Sequence, residues 1–231
     1  MIKIAIAVLF IIIAIFILNN HESYNITDNY MPILIISLPG SKRRDRIMKR
    51  FEKYKGRVMF IDGVYIRSER DRKRWMDILG LDYSSVKNIL LKGNGELGCA
   101  LAHVNAYKYM IDNNINRAVI MEDDAVQMDN SSIEYIENYK MTEEEPSINF
   151  LGEVDMYGLQ AQIITLQGAK NLYKHRQSLI TLEPIDIVIW HKRIPIDYIR
   201  GPRLFKHENT FNDSDTSERI QINNNFDTKS S

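Results

Sequence analysis

Two apolar runs constrain what this chain can fold into more than any other feature. Residues 33–38 read ILIISL and residues 118–121 read AVIM, and continuous apolar runs of this kind are typical of strands buried on both faces. Alternation of such strands with helices indicates an α/β fold with a mainly parallel sheet. The other strands and helices are predicted at residues 57–61, 162–165, 42–55, 67–92, 100–110 and 168–175.

The composition excludes several classes of protein. Lys plus Arg and Asp plus Glu each number 30, so the chain lacks the basic excess of a general nucleic-acid binder, and we expect no nucleic-acid partner. The single cysteine, Cys99, excludes a disulfide scaffold. The 231 residues are enough for one domain that folds without a structural metal.

Residues 2–18 form a 17-residue apolar segment in which Lys3 is the only charged side chain. Three interpretations are open: an uncleaved signal anchor, a cleaved signal peptide and a core helix. The segment lacks a polar face, and no small-residue cleavage site follows it, which favours the anchor. The positive charge at its amino side then predicts a single-pass type II membrane protein.

We therefore predict a transmembrane helix at residues 1–18, a stem at 19–30, a catalytic or binding domain at 31–208 and a polar flexible tail at 209–231. The secretory-pathway lumen (ER or Golgi) is the expected location in a eukaryotic or viral host, and the bacterial inner membrane is the alternative. N-glycosylation patterns begin at Asn25, Asn130 and Asn212, as expected of a lumenal glycoprotein.

Two motifs compete for the chemistry. Residues 93–98 read GNGELG, which is formally a dinucleotide-binding pattern, but Glu96 would lie where a pyrophosphate approaches the backbone. Glu122, Asp123 and Asp124 directly follow the strand at 118–121. Carboxylates at the carboxyl end of a sheet strand can hold a hard divalent cation, and a solvated acidic turn is the alternative.

The chain contains a specific block, Gly95-Glu96-Leu97-Gly98-Cys99, with His103 one helical turn further on. Further short elements precede and follow this block: Ile36-Ser37-Leu38 with Arg44, Phe60-Ile61-Asp62-Gly63, Val119 to Asp124, Gly168-Ala169, Pro184-Ile185-Asp186, Pro202 and Ser214-Asp215. In kind and order these elements resemble glycosyltransferase family 25, the lipopolysaccharide and collagen sugar transferases.

This resemblance implies a GT-A type fold, with a Rossmann-like, mainly parallel sheet and flanking helices. It implies transfer of a hexose, galactose or glucose, from a UDP-sugar to a hydroxyl of a glycan, glycoprotein or hydroxylysine-type acceptor. Inversion at the anomeric carbon and a divalent metal, Mn²⁺ or Mg²⁺, are expected.

The resemblance also implies roles for particular residues. Asp124 is the expected metal ligand, with His207 as a late ligand or a surface residue. Arg44, Glu96, Glu122 and Asp123 are expected to bind the nucleotide sugar, although Glu96 has a helix cap as its alternative role. Asp186, and after it Asp155, is the expected general base.

Three positions depart from the family pattern. Ala102 stands where serine is usual, and Leu159 and Gln162 replace a threonine and a tyrosine. The alternative function is therefore that of a catalytically inactive family member, a membrane-anchored binding or scaffold protein. For His103, burial in the core is the alternative to a ligand role.

Overall fold

A six-stranded mixed sheet forms the centre of the fold. The computed structural model describes residues 31–84, 94–127, 131–139, 147–152, 159–181, 184–191 and 193–207. The strands are β1 (Ile33–Ser37), β2 (Val58–Asp62), β3 (Arg117–Glu122), β4 (Ala125–Gln127), β5 (Ile148–Phe150), β6 (Ala161–Thr165), β7 (Tyr198–Arg200) and β8 (Phe205–His207). The large sheet has the order β2-β1-β3-β6-β5-β7, and β4 pairs with β8 in a second, two-stranded sheet.

Most neighbours in the large sheet are parallel. β1 pairs in parallel with β2 and β3, and β5 pairs in parallel with β7. β6 is antiparallel to both of its neighbours, β3 and β5. The α/β fold with a mainly parallel sheet, predicted from the sequence, is confirmed, and β6 is the strand that makes the sheet mixed.

Helices flank the sheet. They are α1 (Arg43–Arg50), α2 (Glu69–Leu79), α3 (Asn94–Asp112), α4 (Ser131–Asn138), α5 (Leu166–Lys174), α6 (Arg176–Thr181) and α7 (Ile185–Trp190), with a 3₁₀-helix at Glu52–Arg57. Side chains satisfy the first backbone amides of two of them, because Ser68 accepts from Asp71 N–H and Thr165 accepts from Gly168 N–H.

The two faces of the sheet explain why the strands are apolar without alternation. Leu34 of β1 and Ile120 of β3 pack into the hydrophobic cluster that contains α3. Ile33 and Val119, their chain neighbours, pack into the opposite cluster beneath α1 and α4. Successive side chains of a strand point to opposite faces, so a strand covered on both sides needs apolar residues throughout.

Two predicted helices have different limits in the structure. The helix predicted at 67–92 ends at Leu79, because Gly80 adopts a left-handed conformation with φ of 61°; residues 85–93 lie outside the described part of the chain. The helix predicted to follow Gly98 begins earlier, at Asn94. The described part of the GNGELG segment is therefore the first turn of α3 rather than a loop before it.

Among the described residues, no helix has the length and apolar character needed to cross a bilayer. The predicted anchor at residues 1–18, the stem and the tail after residue 208 lie outside the described residues, as do the acceptor residues Asn25, Asn130 and Asn212 of the three N-glycosylation patterns.

Candidate active site

The carboxyl ends of β1, β2 and β3 meet at one edge of the sheet. Ile36 is in register with Glu122 of β3, and Ser37 is in register with Asp62 of β2. Open α/β sheets bind ligands outside the carboxyl ends of their strands. A pocket lies at this edge, and its wall is formed by Ile36, Ser37, Leu38, Arg43, Gly63, Val64, Gly95, Gly98, Cys99, Ala102, Glu122, Asp123 and Asp124.

Gly98 lets α3 approach the loop after β2. A Cβ built on Gly98 would lie 2.5 Å from the carbonyl oxygen of Val64, well inside any tolerated contact. This approach brings Cys99 and Ala102 to the pocket wall. Close packing of the helix against backbone therefore explains the glycine at position 98 of the Gly-Glu-Leu-Gly-Cys block. Ala102, where the family pattern has serine, is one of the pocket-lining residues.

Asp123 is held from two sides. Ser37 Oγ donates to its Oδ2 and Arg43 Nη1 donates to its Oδ1, each at 2.8 Å. The Arg43 and Asp123 side chains are only 11% and 12% exposed. Burial raises the pKa of Asp123, and the hydrogen bonds from Ser37 and Arg43 oppose this effect. Asp123 therefore links β1, α1 and the end of β3.

Glu122 contacts two side chains of α3. His103 Nε2 lies 3.0 Å from Glu122 Oε1, and Cys99 Sγ lies 3.5 Å from the same oxygen. His103 is fully buried, whereas 24% of the Glu122 side chain is exposed. Burial raises the pKa of the Cys99 thiol well above its ordinary range, and the Glu122 carboxylate adds to the rise. Cys99, His103 and Glu122 offer ligand atoms within 4.8 Å of one another.

Asp124, the predicted metal ligand, lines the same pocket as Glu122 and Asp123. β8 pairs with β4 so that the backbone of His207 is opposite Ala125, the residue after Asp124. The side chain of His207 lies outside the described part of the structure. The fold thus brings the chain at His207 next to the acidic motif.

Asp186 lies in the first turn of α7 and accepts a hydrogen bond from Ile187 N–H at 2.9 Å. Burial raises its pKa, and the charge of the nearby Glu122 acts in the same direction. Asp186 is not one of the pocket-lining residues, but it is close enough to Glu122 and His103 to interact with both electrostatically.

The other predicted site residues lie elsewhere. Arg44 donates through Nη2 to Asp62 Oδ1 and to the Ser37 carbonyl, both at 2.7 Å, and does not line the pocket. Glu96 is exposed in the first turn of α3. Asp155 lies outside the described residues. The roles predicted for these three residues stay predictions.

The sequence did not identify Arg43 or Ser37 as site residues. One signal for Arg43 was available, since a helix places residue 43 on the same face as Ile47 and Phe51. A basic residue on the apolar face of a helix needs a buried partner, and the structure supplies Asp123. Ser37 gave a weaker signal, as the polar residue near the end of an apolar strand.

Comparison with known proteins identifies the family of the chain. Residues 30–157 match the profile described as "Glycosyltransferase family 25 (LPS biosynthesis protein)". The chain belongs to glycosyltransferase family 25. It is therefore a transferase that acts in glycosyl transfer, and the matched span contains Arg43, His103 and the 122–124 motif but ends before Asp186 and His207.

No curated protein matches the chain in sequence. Among solved structures, the chain is similar to the crystal structure of a glycosyltransferase involved in the glycosylation of the major capsid of PBCV-1. The two are 9% identical, the similarity covers 84% of this chain and 99% of that chain, and the TM-score is 0.44.

Proposed function

We propose that this pocket binds a UDP-sugar and that the transferase moves a hexose, galactose or glucose, to a hydroxyl of a glycan or hydroxylysine-type acceptor with inversion. The observation that carries the proposal is the convergence of Glu122, Asp123, Asp124 and Arg43 at the carboxyl end of three parallel strands. A pocket with this mixture of carboxylates and a guanidinium suits a nucleotide sugar with a divalent cation.

The carboxylates fit a hard cation such as Mn²⁺ or Mg²⁺. Asp124 supplies carboxylate oxygen atoms at the pocket, and oxygen is the ligand atom that such ions prefer. The pairing of β8 with β4 supports His207 as a further ligand. A bound cation would supply positive charge for the leaving diphosphate.

We assign separate roles to Asp123, Asp124 and Asp186 in the proposed site. Ser37 and Arg43 engage both oxygens of Asp123, so Asp123 fixes the pocket wall while Asp124 faces the ligand. We assign to Asp186 the removal of the proton from the acceptor hydroxyl. Its burial raises its pKa, which is the direction that makes a carboxylate a better proton acceptor near neutral pH.

Isothermal titration calorimetry of UDP, with and without Mn²⁺, tests the proposal. The wild-type protein should bind UDP more tightly with Mn²⁺, and the Asp124→Asn variant should lose that dependence. Asp77→Asn is the matched control, since Asp77 is an exposed carboxylate on α2 away from the pocket. Absence of UDP binding by the wild-type protein, or unchanged Mn²⁺ dependence in Asp124→Asn, would contradict the proposal.

A further inference from the structure

His103 is a polar residue in an apolar setting. It lies midway along α3, is 0% exposed, and has buried apolar neighbours on both sides, Ala102 and Val104. Within the described residues, the imidazole ring makes one side-chain hydrogen bond, between Nε2 and Glu122. The other ring nitrogen, Nδ1, is buried and has no hydrogen-bond partner among those residues. An apolar residue at position 103 would stabilise the core at least as well, because it has no buried polar atoms that need partners.

The contacts of the ring define where its proton lies. A neutral imidazole carries one N–H and one acceptor nitrogen. With the proton on Nε2, the ring donates to Glu122 Oε1 and leaves at Nδ1 only a lone pair, whose burial costs less than burial of an unpaired N–H. A hydrogen bond between this ring and the Glu122 carboxylate therefore needs a proton on Nε2.

Only one of the two carboxylate oxygens of Glu122 has hydrogen-bond partners among the described residues. His103 Nε2 and Cys99 Sγ both approach Oε1, and Oε2 has no hydrogen-bond partner among the described residues. Glu122 is also a pocket-lining residue with a partly exposed side chain. One oxygen is thus anchored to α3 while the other is available to a ligand in the pocket.

We propose that His103 is a positioning residue: its Nε2–H fixes Glu122 so that Oε2 accepts a hydrogen bond from a hydroxyl of the bound nucleotide sugar. The proposal rests on the proposed function of the pocket and names the part of the ligand that Glu122 recognises. The hydroxyl belongs either to the ribose or to the transferred hexose, and both present the same donor chemistry.

Three variants test the role of His103. His103→Leu removes the donor, and His103→Gln restores an N–H donor at a similar reach. Glu122→Gln keeps an acceptor for His103 but replaces the second carboxylate oxygen with an amide. We expect His103→Leu and Glu122→Gln each to weaken binding of the UDP-sugar roughly 10-fold, the equivalent of one hydrogen bond to a charged group. His103→Gln should recover most of this loss.

Calorimetry with two ligands locates the hydroxyl. Equal losses for UDP and for UDP-galactose assign it to the ribose, and a loss confined to UDP-galactose assigns it to the hexose. The double variant His103→Leu/Glu122→Gln should lose no more than either single variant, because both changes remove the same interaction. Additive losses would overturn the proposal.

Thermal unfolding separates positioning from a structural role. His103→Leu should change the melting temperature little, because Glu122 is partly exposed and can be solvated, and the gain from replacing a buried polar ring with an apolar side chain offsets the lost hydrogen bond. A lower melting temperature in both His103 variants with unchanged UDP-sugar affinity would show that the residue serves only folding, and would overturn the proposal.

A ligand-free measurement keeps this test distinct from the test of the proposed function. Long-range ¹H–¹⁵N NMR spectra of the imidazole groups, with the His103 signal assigned by its loss in His103→Gln, should show the Nε2–H form. That result would support the His103–Glu122 contact even if UDP failed to bind. In that case, only the proposal that the pocket binds a UDP-sugar would be contradicted. An Nδ1–H form would contradict the contact itself.

Discussion

The close approach of α3 to the loop after β2 yields a prediction with a calculable size. The Cβ introduced by Gly98→Ala would lie 2.5 Å from the Val64 carbonyl oxygen, about 0.9 Å short of the 3.4 Å at which ordinary contact begins. The opposing atom is backbone, so a side-chain rotation cannot relieve the clash. Overpacking of this kind costs about 1–3 kcal/mol, and we take the upper value because the backbone must move.

Alanine also has a favourable effect that must be subtracted. It is a better helix former than glycine by about 1 kcal/mol, so the net loss of stability should be about 2 kcal/mol. For a domain of this size, that loss lowers the melting temperature by roughly 4–8 °C. Because α3 also carries Cys99 and His103, the displaced helix should weaken nucleotide-sugar binding as well.

Urea denaturation of purified variants measures the free energy of unfolding directly. Gly56→Ala is the control, since a Cβ there meets nothing within 4 Å and the change should fall within about 0.5 kcal/mol of the wild-type value. If the Gly98→Ala variant were as stable as wild type, α3 would not approach Val64 as the structure shows, and our explanation of the glycine at position 98 would be refuted.

Three further predictions concern the capping, charge and thiol chemistry of the fold. Arg43→Met should lower the free energy of unfolding by about 3 kcal/mol, because it leaves Asp123 as a buried charge without its ion-pair partner; a loss below 1 kcal/mol in urea denaturation would argue against the pair. Thr165→Ala should cost about 1 kcal/mol, because it removes the acceptor of the Gly168 N–H bond at 2.9 Å, and an unchanged denaturation midpoint would disprove the cap. Cys99 should react slowly with iodoacetamide at pH 8 in the folded protein and rapidly in urea. Burial raises the pKa of the folded-state thiol, and only the thiolate reacts. Equal rates in the two states would contradict the raised pKa.

The strands that define the fold were readable from the sequence because burial on both faces leaves a simple pattern. β1 and β3 are nearly uninterrupted apolar runs, and the acidic motif that begins at the last residue of β3 lies at the sheet edge where parallel strands end. The direction of β6 was not readable, because the residues AQIIT fit a strand of either polarity. Strand direction depends on the connection that precedes it and on which neighbour it meets.

Side-chain pairing in the pocket depends on details that a single sequence does not carry. Arg43 and Arg44 are adjacent, yet Arg43 pairs with Asp123 and Arg44 with Asp62. A rotation of about 100° along a helix separates the two residues, so the choice requires the position of α1 over the sheet. The contact between His103 and Glu122 likewise requires the register of α3 against β3, which a single sequence does not specify.

The most direct test of the account is the turnover of UDP-sugars. Purified protein with UDP-galactose or UDP-glucose should release UDP in the presence of Mn²⁺, and release should stop when EDTA removes the metal or when Asp124 is replaced by Asn. Asp77→Asn should retain the wild-type rate. Failure of the wild-type protein to release UDP from either donor, with or without a glycan acceptor, would contradict the claim that this sheet edge is the centre of a UDP-hexose transferase.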